Sequence, residues 1–406
     1  MSDQNSPTVP QDGAEHTETI VPFASPVSES GPAHVSTPQR YDALLLAGFG
    51  GPEGQEDVIP FLRNVTAGRG IPDERLEEVA THYRHFGGVS PINAQTKKLR
   101  EAIERELRDR GMDMPVYWGN RNWDPYLEDT VKAAADAGHT RLLALTTSAY
   151  SSYSSCRQYR EDFARALINT ELAGIVTIDK IRQYFDHPGF VTPFIEGVDK
   201  ALRHYEADGL APEDIRVLFA THSLPSTDAQ RSGPPTQDFG ADGAYSAQHR
   251  AVGEVIMDQL RSELPSRIGT QWELVYQSRS GPASQPWLEP DVCDRIAELP
   301  AEGVKAVVIV PLGFLSDHME VLWDLDEEAL EAAEAAGLQA VRTATPGVHP
   351  EFVKGLVDLV AERIEAIPVT DRARMTEFGP WYDVCRPGCC ENVRRGFSPA
   401  AAGLVP

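Results

Sequence analysis

Short apolar runs alternate with amphipathic stretches from residue 41 to about residue 367, and this alternation is the strongest constraint on the fold. The apolar runs stand at 43–52, 115–120, 141–147, 215–222, 272–278 and 306–314. Amphipathic stretches lie between them, for example at 96–111 and 248–264. Strands that alternate with helices form parallel sheets covered on both faces. We therefore predict an α/β protein with two Rossmann-like, doubly wound parallel-sheet domains.

The alternation weakens near residues 180–190, and we divide the chain there. The amphipathic stretch 351–366 predicts a helix that closes the core. The first forty residues are rich in Ser, Thr, Pro, Gln and Glu, a composition that predicts disorder. The predicted units are a disordered tail (1–40), a first domain (41–185), a second domain (186–367) and a cysteine-containing tail (368–406).

The charge balance narrows the range of partners. The chain has 61 acidic and 37 basic side chains, a net charge of −24, which argues against binding to nucleic acid. It has no run of 18 apolar residues and no basic segment followed by an apolar one, so we expect no membrane anchor and no secretory signal. We predict a cytoplasmic monomer in which local basic groups hold any anionic ligand.

Three of the five cysteines lie close together in the segment VCRPGCCENVRRG, residues 384–396. A reducing compartment disfavours disulfides, and an odd number of cysteines leaves at least one thiol unpaired. A metal ion or an iron–sulfur cluster is therefore the leading explanation for the group. The alternative is a set of free thiols in a disordered tail.

His222 ends the apolar run IRVLFATH and is followed by Ser223, Leu224 and Pro225. In parallel sheets, ligands bind beyond the carboxyl ends of the strands. An imidazole at that position can act as a base near neutral pH or as a metal ligand. The alternative is a histidine with a purely structural role.

Acidic side chains follow the apolar run at 306–314. Glu320, Asp324 and Glu328 are spaced at i, i+4 and i+8, which on an α-helix keeps them within roughly 80° of one face. A line of carboxylates leading to a cleft could deliver a hard divalent cation in steps. The alternative is an ordinary solvated acidic face.

Polar groups that suit carboxylate recognition stand in three further segments. HYRHFGGVSPIN contains Ser90 and Asn93, the preceding loop TAGRGIP contains Arg69, and YSSYSSCRQYR begins with Tyr150. Hydroxyl and guanidinium groups are good partners for carboxylates. The glycines before Ser90 could equally mark a simple turn.

Five segments resemble the ferrochelatases, which insert ferrous iron into a porphyrin in heme synthesis. They occur in the order and with about the spacing of that family: LLLAGFGGPEGQEDVIPFLRN, HYRHFGGVSPIN, FATHSLP, VYQSRSGPASQPWLEPD and VPLGFLSDHMEVLWDLDEEA. The resemblance extends over roughly residues 41–367. It implies the chelatase fold, with the porphyrin held in a cleft between two similar domains.

The resemblance also implies roles for particular residues. His222 and Glu320 would flank the porphyrin centre and handle the pyrrole protons and the incoming Fe²⁺, which is a substrate. Asp324 and Glu328 would form the acidic path to the surface. Phe49 stands where many bacterial relatives have a tyrosine that touches the product iron, and Tyr83 is the nearest substitute. The expected porphyrin contacts are Phe49, Arg69, Tyr83, Ser90, Asn93 and Tyr150.

Some ferrochelatases carry a 2Fe-2S cluster held by one internal cysteine and three in a C-terminal extension. By this resemblance the ligands would be Cys156, Cys385, Cys389 and Cys390, and Cys293 would remain a free thiol. Four thiolates are what such a cluster requires. A structural zinc ion would use the same four side chains.

The stretch NVTAGRGIPDERLEEVATHYRHF bears on which porphyrin is the substrate. This stretch is short and polar, whereas membrane-bound relatives that use protoporphyrin IX have an apolar, basic lip there. We therefore favour coproporphyrin III, which has four propionates, and note a similarity to the actinobacterial branch of the family, whose members make coproheme. A transient handover to a coproheme-using enzyme would follow. The alternatives are protoporphyrin IX as substrate, a carrier of porphyrin or metal without turnover, and a cobalt chelatase.

Overall fold

A computed structural model describes residues 33–280, 284–386, 388–392 and 398–401. It contains two four-stranded sheets in which every pair of neighbouring strands is parallel. The first sheet, in the order β2-β1-β3-β4, consists of β1 Ala43–Gly48, β2 Val116–Asn120, β3 Arg141–Thr146 and β4 Thr177–Lys180. The second, in the order β6-β5-β7-β8, consists of β5 Ile215–His222, β6 Gln271–Gln277, β7 Ala306–Val310 and β8 Gln339–Arg342. The predicted fold class is confirmed.

Helices connect the strands in both domains. In the first domain they are α1 Val58–Val65, α2 Asp73–His85, α3 Ile92–Asp109, α4 Leu127–Asp136 and α5 Gln158–Asn169, preceded by a π-helical turn at Tyr153–Arg157. The remaining helices are α6 Pro188–Ala207, α7 Ser226–Gln230, α8 Gly243–Glu263, α9 Val292–Glu298, α10 Met319–Val321, the π-helix Leu322–Ala329, α11 Leu330–Ala335 and α12 Pro350–Glu365. Single 3-10 turns stand at Gln55–Asp57, Pro212–Asp214, Pro265–Gly269, Leu299–Glu302 and Val369–Asp371.

Alternation along the strands sorts their side chains between separate cores. Leu44 and Leu46 of β1 belong to a core shared by both domains, whereas Leu45 packs on the opposite face of the first sheet. In β5, Phe219 lies in the shared core and Leu218 in the outer core of the second sheet. This period of two is what a strand buried on both faces requires. Helix α12 contributes six buried side chains to the shared core and packs on α3 and α6; the six are Phe352, Val353, Leu356, Val357, Leu359 and Val360.

Two of the eight strands in the described part of the chain were not predicted from the sequence. Strands β4 (TIDK) and β8 (QAVR) are four residues long and carry polar side chains, so neither stands out as an apolar run. Both are edge strands of their sheets, where fewer apolar side chains are needed. The predicted division at residue 185 falls in the connection between β4 and α6.

The two ends of the described chain lie against each other. The backbone N–H of Val35 donates to Oδ2 of Asp383 at 2.8 Å, and that of Val384 donates to the carbonyl of Ala33 at 3.2 Å. The Arg372 guanidinium donates to both carboxylate oxygens of Asp383 at 2.8 Å. Most of the tail predicted to be disordered, residues 1–32, lies outside the described residues, but residues 33–40 make these tertiary contacts. No helix within the described ranges is both long enough and apolar enough to span a lipid bilayer.

Candidate active site

In both sheets, the connections between strands switch from one side to the other at equivalent strands. From β1 the chain crosses to β2 on one side and then to β3 on the other, and β5, β6 and β7 repeat this order. Such switch points leave a crevice beyond the carboxyl ends of the strands. Phe49 follows β1, His222 ends β5, and Glu320 follows the loop after β7. The topology therefore places these residues at the edges of the two sheets where the strands have their carboxyl ends.

His222 and Glu320 face each other. The Nε2 atom of His222 lies 3.7 Å from Oε2 of Glu320, and the two side chains are 33% and 49% exposed. Nδ1 of His222 contacts the carbonyl oxygen of Ser223. Because a carbonyl only accepts hydrogen bonds, Nδ1 carries a proton, and Nε2 is the ring nitrogen that faces Glu320. A proton taken up at Nε2 would give an imidazolium beside a carboxylate.

Neighbouring groups fix the position of Glu320. His318 caps α10, since its Nδ1 accepts from the backbone N–H of Glu320 at 3.2 Å. Nε2 of Gln277 donates to the carbonyl oxygen of Glu320 at 3.0 Å. The preceding loop packs tightly on β5, because a Cβ atom at Gly313 would lie 2.1 Å from Oγ1 of Thr221. Glycine thus permits the approach that brings Glu320 to His222.

The carboxylates after Glu320 lie on a π-helix, which corrects the α-helix expected from their spacing. Hydrogen bonds from i to i+5 widen each turn, and such segments are frequent at functional sites. Asp324 accepts from Nε2 of Gln277 at 3.2 Å and from the hydroxyl of Ser278. Burial and then the charge of Glu320 raise the pKa of Asp324 to about 7. Glu328, closer to the surface, accepts from Nε1 of Trp323 at 2.8 Å.

The first domain supplies an aromatic wall. Phe49 is 37% exposed and meets Phe61 edge-on, with 6.3 Å between ring centroids. Phe61 also contacts Tyr83 of α2 and Trp123. Burial, followed by the charges of Glu320 and Asp324, raises the pKa of Tyr83 above its usual range. The Tyr83 phenol therefore stays protonated, and it lies close to the carboxylates of the second domain.

One link between the domains has no signal in the sequence. The ring of His82, on α2, stacks on Trp323 of the π-helix with 4.0 Å between centroids and 7° between planes. Nε2 of His85 lies 3.6 Å from Oε1 of Glu327. These contacts join α2 to the helix that carries the acidic residues.

Two of the other predicted porphyrin contacts, Ser90 and Asn93, lie at a cavity in the first domain. Ser90 and Asn93 line a cavity of about 530 Å³ beside β2, together with Lys97 and Arg100 of α3. The Asn93 amide already donates to the carbonyl of Gly51 at 3.1 Å and to Oε1 of Glu53 at 2.9 Å. The amide thus holds the loop after β1 in place.

Arg69 and Tyr150 lie in opposite surroundings. Arg69 is exposed in the loop between α1 and α2. Tyr150 is only 2% exposed, and its ring stacks on His249 with 3.5 Å between centroids. Tyr150 therefore offers almost no surface to a propionate, and the structure does not bring it to the wall of the cleft.

The four predicted cluster cysteines form one buried group, which we call the four-cysteine pocket: Cys156, Cys385, Cys389 and Cys390. The Sγ atoms of Cys156 and Cys385 are 3.9 Å apart, and those of Cys389 and Cys390 are 3.8 Å apart. Hydrogen bonding from Cys156 lowers the pKa of the Cys385 thiol well below its usual range.

Two buried cations stand beside the four-cysteine pocket. Arg160 hydrogen-bonds to Cys156, and Lys180 interacts electrostatically with Cys156 and Cys385. Cys293 lies apart from them on α9, against the outer core of the second sheet. Among the described residues, no group of three or more His, Cys, Asp or Glu side chains is arranged to hold a single metal ion.

Fold and site together define a two-domain α/β protein with an imidazole and a line of carboxylates at the cleft between its sheets. Residues 41–364 match the family model described as Ferrochelatase, and the chain belongs to the ferrochelatase family, as its five motifs predicted. The chain is similar to the coproporphyrin III ferrochelatase of Leifsonia xyli subsp. xyli, with 63% identity over 393 residues, covering 94% of this chain and 99% of that protein.

More distant relatives extend this comparison. The coproporphyrin III ferrochelatase of Streptomyces griseus subsp. griseus is 51% identical over 374 residues, which cover 90% of this chain and 97% of that protein. Among solved structures, SirB from Bacillus subtilis with Fe³⁺ has 14% identity and a TM-score of 0.43, covering 83% of this chain and 100% of that chain.

Proposed function

We propose that this chain inserts Fe²⁺ into coproporphyrin III and so produces coproheme for heme biosynthesis. The observation that carries the proposal is the 3.7 Å approach of Nε2 of His222 to Oε2 of Glu320 at the carboxyl end of β5. The relatives at 63% and 51% identity are coproporphyrin III ferrochelatases, which supports the same substrate. Both substrates of the reaction, the porphyrin and Fe²⁺, are small molecules.

Insertion of Fe²⁺ releases the two pyrrole N–H protons, so the charge of the macrocycle core does not change. His222 is suited to take one of them, because Nδ1 is engaged by the carbonyl of Ser223 and Nε2, which faces Glu320, is the nitrogen left to exchange a proton. The Glu320 carboxylate stabilises the imidazolium that forms. Asp324, whose pKa is raised to about 7, can exchange a proton near neutral pH, and Glu328 extends the acidic path outward. Imidazole and carboxylate groups are also suitable ligands for the incoming iron.

Phe49 and Tyr83 complete the site from the first domain. Phe49 presents an exposed apolar ring that can pack against a flat macrocycle but cannot ligate iron. Tyr83 is held in its neutral form and can donate a hydrogen bond toward the carboxylates. Exposed Arg69 in the loop between α1 and α2, and Ser90 and Asn93 at the cavity beside β2, are the proposed partners of the propionates.

We further propose that the four-cysteine pocket holds a 2Fe-2S cluster. Two thiolates bound to one tetrahedral metal at about 2.3 Å stand about 3.8 Å apart, which matches both Sγ pairs. Cys385 and Cys389 also hydrogen-bond each other, so the two pairs adjoin, which suits two bridged iron atoms. A single zinc ion would need all four thiolates around one point. The buried charges of Arg160 and Lys180 favour an anionic occupant. When bound, the cluster supplies one-electron redox chemistry and links the C-terminal tail to the body.

The cysteines and Glu320 also bear on the compartment in which the chain works and on how its product leaves. No disulfide joins any of the five cysteines, all of which lie in the described ranges, and this is typical of a reducing compartment. We propose that the chain works in the cytoplasm. The half-exposed Glu320 leaves the product accessible to a transient acceptor that uses coproheme. We expect the monomer to be the active form.

Turnover with each porphyrin tests the proposed function. Purified protein with Fe²⁺ should convert coproporphyrin III at least tenfold more efficiently than protoporphyrin IX. Equal efficiency would contradict the substrate assignment, and binding of both porphyrins without insertion would indicate a carrier. Iron and acid-labile sulfide in equal amounts, with a reddish-brown colour, would support the cluster. A colourless protein that contains zinc would exclude it.

A further inference from the structure

A buried group of hydrogen bonds stands directly behind His222. Oγ1 of Thr221 lies 2.7 Å from the hydroxyl of Tyr245 and 3.0 Å from Nε2 of His249. The Tyr245 hydroxyl is also 3.0 Å from the carbonyl oxygen of His222. Thr221 and His249 have no exposed surface, and Tyr245 is almost fully buried.

Counting protons fixes the direction of these bonds. Nδ1 of His249 lies 2.7 Å from the carbonyl of Tyr245, so it must donate, and Nε2 of His249 must accept. Thr221 supplies its single proton to that nitrogen. The Tyr245 proton is then shared between Thr221 and the carbonyl of His222. Every member is satisfied only in this arrangement, which makes the group rigid.

One route leads from this group to the four-cysteine pocket through the first domain. The ring of Tyr150 stacks on His249 across the domain interface. Next to it, the backbone N–H of Ser151 donates to Oε1 of Gln248 at 2.8 Å, and Nε2 of Gln248 donates to the hydroxyl of Ser151 at 3.0 Å. The same segment continues into the π-helical turn that contains Cys156. Helix α8 is therefore docked on the segment that supplies one wall of the pocket.

A second route runs through the C-terminal tail. The backbone N–H of Gly233 donates to Sγ of Cys390 at 3.2 Å. The adjacent Ser232 accepts from the backbone N–H of Tyr245 at 2.9 Å through its hydroxyl. The hydroxyl of Tyr245 then reaches the carbonyl of His222. Both routes thus converge on α8, at Tyr245 and His249.

We propose that the four-cysteine pocket sets the position of the His222 imidazole through α8, with Tyr150 and His249 as positioning residues. The inference rests on the proposed function, since it assigns His222 its part in metal insertion. Packed, fully hydrogen-bonded elements pass displacement on because they cannot deform continuously. A change in the pocket, such as loss of its occupant, would move the segment 150–156 and the tail. The Tyr245 and His249 side chains would carry that movement to His222.

A double-mutant cycle tests the proposal. Cys156→Ser alters the pocket, Tyr150→Leu removes the stacked ring, and Tyr150→Phe keeps it. Cys156→Ser should lower kcat for iron insertion into coproporphyrin III by about tenfold, with KM for the porphyrin within twofold. In the Tyr150→Leu background, where the stacked ring is lost but the tail route through Ser232 remains, the same change should have an effect of only about threefold, whereas in Tyr150→Phe it should keep its full effect. Equal effects of Cys156→Ser in all three backgrounds, or no effect in the parent, would overturn the proposal.

A second measurement covers a Cys156→Ser variant that fails to fold. Removal of the pocket-bound metal with a chelator should shift the NMR ring-proton resonances of His222 in the parent and in Tyr150→Phe, and His222→Ala identifies those resonances. Tyr150→Leu should show a smaller shift, and no shift in the parent, or equal shifts in all three proteins, would refute the link. A parent that binds coproporphyrin III without inserting iron would contradict the proposed function instead, and the resonance shifts would still test the link.

Discussion

Trp323 of the π-helix stacks face to face on His82 of α2, and the contact joins the two domains on the helix that carries the acidic residues. The two residues come from different domains, so any movement of the domains apart at this side has to break the stack. Stacked aromatic pairs contribute about 0.5–1.5 kcal/mol beyond their buried area. The contact is therefore strong enough to favour the closed arrangement and weak enough to break.

Replacing His82 with Ala should increase the dissociation rate of coproporphyrin III by about threefold to tenfold, because the stack no longer holds the two domains together at this side. Stopped-flow fluorescence of the bound porphyrin measures this rate. Arg84→Ala is the matched control, since Arg84 is on the same helix but pairs at the surface with Glu77. Equal dissociation rates in the two variants would show that the stack does not gate the cleft.

His222→Ala should reduce kcat for iron insertion by at least about 100-fold, because the base at the macrocycle is lost. Porphyrin affinity should change by less than threefold, which fluorescence titration measures. His204→Ala, on the exposed surface of α6, is the control and should behave like the parent. Insertion at the parent rate in His222→Ala would remove this histidine from the mechanism.

Asp324 should give the reaction a dependence on pH near neutrality. Its pKa of about 7 means that the carboxylate is neutralised as pH falls below 7, and the insertion rate should fall by up to about tenfold per pH unit there. Asp324→Asn should lower the rate at pH 8 and remove this limb of the profile. A limb that persists in the variant would have to come from another group.

The same raised pKa makes a prediction for stability. The folded protein holds the Asp324 proton more tightly than the unfolded chain, so this stabilisation is complete below about pH 4 and is lost as pH rises through about 7. Between pH 5 and pH 8, Asp324→Asn should therefore lose less Tm than the parent does. Glu331→Gln, on α11, is the control and should follow the parent. A variant whose Tm changes with pH as the parent's does would contradict the burial of this charge.

Cys385→Ser should abolish bound iron and sulfide and lower Tm by several degrees, because the tail loses its attachment to the body. Metal analysis and thermal unfolding followed by circular dichroism measure both effects. Cys293→Ser is the matched control, since Cys293 lies on α9 away from the other four cysteines. Full iron and sulfide content in Cys385→Ser would exclude the proposed ligand set.

A good part of this architecture could be predicted from local pattern. The long apolar runs predicted six strands, because a strand buried on both faces must be apolar along its length. Strands β4 and β8 were missed, because four residues with one or two apolar side chains each carry too little pattern. The motifs around His222 and Glu320 identified the family and placed both residues after buried strands.

What the sequence by itself determined is therefore the parallel α/β fold, the family, and the pairing of a strand-end histidine with a following run of acids. The tertiary structure alone decided that Asp324 lies on a π-helix, that Tyr150 is buried against His249, and that His82 meets Trp323. The physical reason is that periodicity along a chain reports which face of an element is buried. It carries no information on which distant side chain that face will meet.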